Sequence, residues 1–290
     1  MLTVLLTAVA ACQSPAGEPL QLPPKPASGA PLSVVLEEAD KALAQGLFED
    51  ATILIGRALK KDPNNARARL ILAEIYLATG RTAFASATFK EVASSADVRA
   101  KALQGWGITL LKERKLEAGH KVLQEAVKED PTLWRAWNAL GLFYDSQRRW
   151  DEARESYAKA LEAEPDSAVV HNNLGYSLLI QRKYSEAASE FTAALKLRPG
   201  LRVARTALRA ALAWQGRYEE AARGAGHKEL PTVLNDIGYI AMLRGDLVAA
   251  EAYLVRAMEA SPAFNETASR NLRDVKNRKN KKDRNVSVAQ

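Results

Sequence analysis

The chain has 290 residues, of which 47% are hydrophobic and 26% charged, and its formal net charge is +7. This composition is typical of a folded protein of one or two domains and excludes a wholly disordered chain. A single cysteine excludes an internal disulfide and any zinc site built on several cysteines. No apolar run reaches the roughly 18 residues that a membrane-spanning helix needs.

The N-terminal segment MLTVLLTAVAA is apolar or small and is followed by Cys12. Residues Val9 to Cys12 resemble the bacterial lipobox, which predicts residues 1–11 as a signal peptide and Cys12 as the lipidated residue. The resemblance implies a lipid anchor and, because residue 13 is Gln rather than Asp, the periplasmic face of the bacterial outer membrane. No Lys or Arg precedes Lys25, although a signal peptide normally begins with one. An apolar N-terminus with a free or buried cysteine is therefore the alternative.

The twelve prolines divide into two groups of six. One group lies between Pro15 and Pro31, and predicts that residues 12–31 form an extended, semi-rigid tether after the lipidated cysteine. In the other group, Pro131, Pro165 and Pro199 are spaced by 34 residues. A fixed spacing of this kind indicates an internal repeat.

A 34-residue frame that starts at Leu32 runs without insertion through residue 201. Positions 4, 7, 8 and 11 of each frame are mostly apolar or small, and so are positions 20, 24 and 27. Each set lies on one stripe of an α-helix, so each frame predicts two amphipathic helices with a turn near position 15. The frame at residues 134–167 has the clearest pattern: Trp137, Leu140, Gly141, Tyr144, Ala153, Tyr157, Ala160 and Pro165.

This pattern resembles the tetratricopeptide repeat (TPR), W-x2-L-G-x2-Y followed by A-x3-F, A and P. The resemblance implies an all-α, right-handed TPR superhelix (an α-solenoid) of about seven helix-turn-helix repeats over residues 32–264. The sixth unit departs from the pattern, because it loses its second apolar stripe near Arg223–His227 and has only 29 residues. From residue 265 we expect a capping helix with Ala268 and Leu272, followed by a basic disordered tail to residue 290.

The excess positive charge lies in that tail. Residues 270–290 carry eight basic and two acidic side chains, which leaves the other 269 residues with a net charge of +1. A nucleic-acid-binding body needs basic residues on a folded face, so no nucleic-acid partner is expected. The tail is predicted to be a solvated terminus, with weak attachment to anionic lipid or to a partner as the alternative.

The sequence contains none of the motifs that mark common catalytic sites. GxxxxGK[ST], HExxH and GxSxG are absent, and the three histidines, His120, His171 and His227, do not have metal-ligand spacing. His171 is interpreted as a satisfied core residue. We therefore predict a non-catalytic protein with no cofactor and no metal site. A glycosyltransferase-like enzyme with a TPR arm is disfavoured, because little sequence remains outside the repeats for a catalytic domain.

The family resemblance implies that positions 2, 5, 9, 12 and 13 of the first helices face a concave groove, with position 6 at its edge. Amides donate and accept hydrogen bonds and aromatic rings supply contact area, so these positions predict a site for an extended peptide. The alternative is that the asparagines only bridge neighbouring first helices. The predicted groove residues are Asn138, Leu142, Asn172, Asn173, Tyr176, Ile180, Thr206, Trp214, Asn235 and Tyr239.

Size, lipobox and repeats together resemble the Tad (Flp) pilus assembly lipoproteins and the type IV pilus biogenesis lipoproteins. The phrases at residues 171–176, HNNLGY, and 182–187, RKYSEA, are similar to theirs. This resemblance implies a scaffold in an outer-membrane pilus or secretion complex, with a secretin as the protein partner. The alternatives are a periplasmic adaptor for polysaccharide export or envelope enzymes, or a cytosolic interaction protein if the lipobox assignment is wrong.

Overall fold

A computed structural model of the chain describes residues 30–261 and 265–288, with side chains up to residue 281. The predicted signal peptide at residues 1–11, Cys12 and the tether up to residue 29 lie outside the described residues. Within the described ranges the chain forms α-helices and one short 3₁₀ turn. The helices are α1 Leu32–Ala44, α2 Phe48–Lys61, α3 Ala66–Ala78, α4 Thr82–Val92, α5 Arg99–Lys112, α6 Leu116–Glu129, α7 Trp134–Ser146, α8 Trp150–Ala163, α9 Ala168–Ile180, α10 Tyr184–Leu197, α11 Arg202–Trp214, α12 Tyr218–Ala222, α13 Leu230–Arg244, α14 Leu247–Glu259 and α15 Glu266–Val288.

The helices α1 to α14 correspond to the seven predicted units, two helices to each unit. The first helix of each full-length unit begins at the first residue of its 34-residue frame or one residue before it, and the second begins shortly after the turn. The all-α architecture of consecutive helix-turn-helix repeats is therefore confirmed. None of the helices in residues 30–261 and 265–288 combines the length and the apolar character that crossing a membrane requires.

The two helices of a unit approach closely where position 8 carries glycine. A methyl group at Gly141 would lie 2.6 Å from the Tyr157 ring, and one at Gly175 would lie 2.8 Å from the Phe191 ring. Both distances are far shorter than a carbon–carbon contact of about 3.5–4.0 Å. Position 8 is thus small because the large side chain at position 24 occupies the space beside it, as the repeat pattern predicts. The same pairing joins Gly107 to Leu123 and Gly238 to Leu254.

Position 15 of every unit lies in the left-handed region of the backbone. Glycine occupies it in four units, at Gly46, Gly80, Gly216 and Gly245, with φ between 76° and 84°. The three middle units instead carry Arg114, Arg148 and Arg182, with φ of 62°, 57° and 63°. An L-residue there costs roughly 1–2 kcal/mol relative to the right-handed conformation, a cost that glycine avoids.

We expect Arg148→Gly to stabilise the protein by about 1 kcal/mol, because the left-handed penalty exceeds the extra entropy that glycine gives the unfolded chain. Arg148→Ala should leave stability within about 0.5 kcal/mol, since alanine bears the same backbone penalty. Urea titration of the three proteins measures both effects. A lower midpoint for Arg148→Gly than for Arg148→Ala would contradict the backbone explanation.

Two places depart from the regular repeat. Between α4 and α5, where Asp97 replaces the expected proline, Ala96–Val98 forms a 3₁₀ turn. In the sixth unit the second helix, α12, has only five residues, compared with fourteen in α10. The predicted loss of the second-helix stripe is confirmed, and a connecting segment at residues 223–229 leads directly to α13.

The chain divides between Val170 and His171 into two compact bodies, which are called unit 1 and unit 2 and are distinct from the seven repeat units. Unit 1 contains α1 to α8, and its core has two clusters, one around Ile55 and one around Phe89 and Leu140. Unit 2 contains α10 to α15 and most of α9, and its single core cluster includes Phe191 and Leu254.

The C-terminal segment differs from the prediction of a disordered tail. Helix α15 extends to Val288, so all eight basic residues of residues 270–290 lie on a helix. Ala268 and Val275 are fully buried and Leu272 is partly buried, which gives the helix an apolar stripe at i, i+4 and i+7 that packs into the core of unit 2. Lys279 Nζ also lies 2.6 Å from Glu251 Oε2 of α14. These contacts continue the helix beyond the point at which its sequence becomes strongly polar.

Candidate functional site

The first helices α3, α5 and α7 of unit 1 line an open pocket of about 380 Å³. Its floor is apolar and well packed, because Leu77, Ile108 and Phe143 belong to the core and each is less than a tenth exposed. The predicted groove residues Asn138 and Leu142 both line it. Other lining side chains are Ala78, Leu111, Lys112, Arg114, Leu116, Trp134, Ala139, Ser146 and Val169.

An ion pair borders this pocket. Arg135 of α7 donates two parallel hydrogen bonds to Glu74 of α3, with Nη1–Oε1 and Nη2–Oε2 distances of 3.3 and 3.1 Å. The paired geometry fixes both side chains and links α3 and α7, the first helices of the second and fourth repeat units. The pocket therefore combines an apolar floor with charged groups at its margin. That combination suits a short peptide, whose apolar side chains need burial and whose backbone needs hydrogen bonds.

The predicted asparagines of α9 are buried. Asn172 and Asn173 are 3% and 1% exposed, and the Asn172 amide nitrogen Nδ2 donates to Asn173 Oδ1 over 3.4 Å. The Asn172 carbonyl Oδ1 is buried and has no hydrogen-bond partner among the described residues. An unsatisfied buried carbonyl is costly, so this oxygen can accept a bond from a ligand N–H that reaches it.

Tyr176 takes part in packing between helices. Its hydroxyl donates to the Val203 carbonyl of α11 over 3.3 Å, and its ring meets the Phe191 ring edge-to-face at a centroid distance of 5.1 Å. Burial raises the pKa of the Tyr176 hydroxyl above its ordinary value, so the group remains a neutral donor near neutral pH. Ile180, at the end of the same helix, is partly buried.

The predicted groove residues of α11 and α13 fall into two classes. Asn235 Oδ1 accepts a bond from Asn271 Nδ2 of α15 over 3.0 Å, and Trp214 stacks on Tyr184 with ring centroids 5.4 Å apart. Asn235 and Trp214 therefore contact neighbouring helices. For Asn235, this agrees with the alternative interpretation, in which the asparagines bridge helices and do not line a groove. Thr206 and Tyr239 are exposed and line a second pocket, of about 500 Å³, between α11 and α13.

The structure thus separates residues that the repeat pattern groups together. Leu142, Thr206 and Tyr239 face open pockets, Asn138 is buried at the edge of one, and the other asparagines are buried or paired. Their role in peptide binding stays a prediction. Sequence reasoning missed the basic side chains Arg202, Arg205, Arg209 and Lys228, which line the second pocket. The spacing of the three arginines on α11, at i, i+3 and i+7, was the signal that could have found them.

Two of the three histidines have clear partners. His171 Nδ1 lies 2.7 Å from Glu190 Oε2, which agrees with its interpretation as a satisfied residue. His120 Nε2 lies 3.1 Å from the Tyr144 hydroxyl and its ring stacks on Phe143, and burial lowers the pKa of its imidazole. Among residues 30–261 and 265–288, no group of three or more His, Cys, Asp or Glu side chains is arranged to hold a metal ion.

Comparisons with known proteins identify the repeat. Tetratricopeptide-repeat family models match residues 42–106, 105–168 and 144–202, which is more than half of the chain. No curated protein sequence matches the chain at a significant level.

Several solved structures share the fold. The pilF protein of Pseudomonas aeruginosa is 18% identical, with a TM-score of 0.51 over 85% of this chain and 97% of its own. A thermophilic TPR protein of Thermus thermophilus is 22% identical, with a TM-score of 0.56 over 63% of this chain and 99% of its own. The C-terminal part of a TPR repeat-containing protein from Cytophaga hutchinsonii is 18% identical, with a TM-score of 0.56 over 82% and 99% of the two chains.

Proposed function

Because the chain belongs to the tetratricopeptide-repeat family, we propose that it is a lipid-anchored scaffold that binds an extended segment of a secretin during assembly of an outer-membrane pilus or secretion complex. A protein-interaction role follows from the family. To this role the proposal adds assembly of a pilus or secretion complex, location at the outer membrane and a lipid anchor.

The observation that carries the binding role is the open pocket on α3, α5 and α7. Its volume of about 380 Å³ lies within the range of small-ligand sites and accommodates one or two apolar side chains of a peptide. Leu142 is only partly buried, so it offers apolar contact, while Arg135 and Glu74 hold the margin in place. An extended secretin segment with apolar side chains at alternate positions would bury those side chains here.

Support for the anchor comes from the sequence around Cys12, which resembles a lipobox and precedes a proline-rich segment. Attached acyl chains contribute roughly 0.8 kcal/mol per buried CH₂ group, so more than one chain gives stable membrane attachment. The fold that the chain shares with pilF accords with a place in pilus assembly.

Site-specific photo-crosslinking in cells that make the pilus tests the proposal. A photoreactive residue at Leu142 is expected to crosslink to the secretin subunit in the membrane fraction. The same residue at Arg154, which is exposed on the second helix α8, serves as the matched control and should give little product. A Cys12→Ser version should move the protein to the soluble fraction and reduce the secretin product.

The outcomes separate the parts of the proposal. Equal crosslinking from Leu142 and Arg154 would remove the pocket as the binding site. Membrane association that Cys12→Ser leaves unchanged would remove the anchor. Crosslinks from Leu142 to a polysaccharide-export or envelope protein, identified by mass spectrometry, would overturn the assignment to pili and favour the adaptor role.

A further inference from the structure

The pocket of about 500 Å³ between α11 and α13 is lined by six charged side chains, compared with four in the pocket of unit 1. It lies beside the shortened sixth unit, where the connecting segment contributes Lys228 and Glu229 to its wall. Four cations and two acids line it, which leaves two positive charges in excess. These residues are Arg202, Arg205, Arg209, Lys228, Glu229 and Asp236.

The three arginines stand on one face of α11, because they are spaced at i, i+3 and i+7. Arg209 is the innermost, with 13% of its side chain exposed, and its Nη1 lies 3.0 Å from Glu229 Oε2. Arg205 Nη2 donates to the Pro199 carbonyl over 2.6 Å, which holds its guanidinium in place. Within the described part of the chain, Arg202, Arg205 and Lys228 form no ion pair.

The arginines of this pocket affect the pKa of Glu229, a carboxylate in the pocket wall. Its hydrogen bond with Arg209 holds the pKa of the Glu229 carboxyl below its ordinary value, and the charges of Arg205 and Arg202 act in the same direction. The arginines thus stabilise a negative charge at the wall of the pocket. A second carboxylate beside Arg202 and Arg205 would experience the same attraction.

The rest of the lining is apolar, with Val233, Ile237 and Ile240 on one side and the exposed ring of Tyr239 at the opening. A free inorganic anion makes no use of such a surface, whereas a peptide can place an apolar side chain against it. A tyrosine beside arginines is a common composition of protein-binding surfaces.

We propose that this pocket binds an acidic segment of a protein partner, with an Asp or Glu side chain against Arg202 and Arg205 and a neighbouring apolar side chain against Tyr239. The inference rests on the protein-interaction role proposed above and adds to it the charge of the bound segment. Its arginines occupy positions 1, 4 and 8 of the sixth unit.

The test uses two fluorescent decapeptides with blocked termini, one alternating Glu with Leu and the other alternating Gln with Leu, and the full chain. We expect the acidic peptide to bind at least about tenfold more tightly than the amide peptide at low salt. Arg202→Glu with Lys228→Glu should abolish this preference, since both side chains are exposed. Lys101→Glu with Lys121→Glu, which reverses two exposed cations of unit 1, is the control with the same change in net charge and should retain it.

A milder pair, Arg202→Gln with Lys228→Gln, guards against misfolding of the charge-reversed protein and is expected to lose most of the preference with an unchanged circular dichroism spectrum. Equal binding of the two peptides, or an equal loss in the control, would overturn the inference. So would displacement of the acidic peptide by inorganic phosphate or by vesicles of anionic lipid at equal charge concentration. If the acidic preference is absent while crosslinking at Leu142 persists, this inference fails and the proposed function stands.

Discussion

Phe89→Ala is expected to lower the stability of unit 1 by about 3–5 kcal/mol, the range for removing a buried aromatic ring. Phe89 is 0% exposed in α4 and is among the largest fully buried side chains of the described residues. Its ring fills the space between its own unit and α5, so its loss leaves a cavity that rigid helices on both sides cannot close. Native-state hydrogen exchange of amides in α3 to α6 measures the effect locally.

The same helix supplies the matched control. Phe84 lies five residues earlier in α4 and is 64% exposed, and it contacts Tyr76 with ring centroids 5.5 Å apart. Phe84→Ala should therefore cost less than about 1 kcal/mol. Similar losses for the two substitutions would show that burial of the Phe89 ring is not what stabilises this region.

Gly105→Ala is expected to destabilise the protein by about 1–3 kcal/mol, although alanine forms helices better than glycine does. A methyl group at Gly105 would overlap two ring carbons of Phe89, closer than atoms can approach. Because the ring is fully buried, it cannot move aside without displacing its neighbours. The substitution forces α4 and α5 apart, and urea titration measures the cost.

Gly56 gives the opposite result with the same chemical change. It lies inside α2 with no atom within 4 Å of the added methyl group, so Gly56→Ala should gain about 0.5–1 kcal/mol from helix propensity alone. In the double variant Phe89→Leu with Gly105→Ala, the smaller side chain makes room for the methyl group. Its loss should be clearly smaller than the sum of the two single losses, and simple additivity would contradict a direct contact.

The sequence specified contacts within a unit far better than contacts between units. The glycine at position 8 and the large residue at position 24 were both predicted, because each repeats at a fixed spacing. Gly105 was not, because it occupies position 6 of one unit and meets position 24 of the preceding unit. A repeat pattern states which face of a helix is apolar, but the neighbour that covers this face is determined by packing in three dimensions.

The same limit applies to the candidate site. Position 5 carries asparagine in three units, and spacing alone could not distinguish a groove residue from a bridge between helices. The structure pairs Asn235 with Asn271 and buries Asn172, while Leu142 faces an open pocket. The basic pocket was missed for another reason: Arg205 and Arg209 replace apolar or small residues at positions 4 and 8 of the sixth unit, and the pocket also depends on the irregular segment after α12.

The left-handed turns at position 15 also bear on how such a chain changes in length. They recur every 34 residues from Gly46 to Gly216, and the next one, Gly245, follows after only 29. Recombination between two equally spaced turns, such as those at Arg114 and Arg148, removes or duplicates one whole unit and leaves a left-handed residue at the junction. Repeat units before Gly216 can therefore be exchanged without shifting the 34-residue repeat. An exchange that includes the 29-residue interval between Gly216 and Gly245 shifts the repeat out of register. The architecture allows the number of binding helices to vary in one part of the chain and keeps the segment with the basic pocket as a single, non-exchangeable piece.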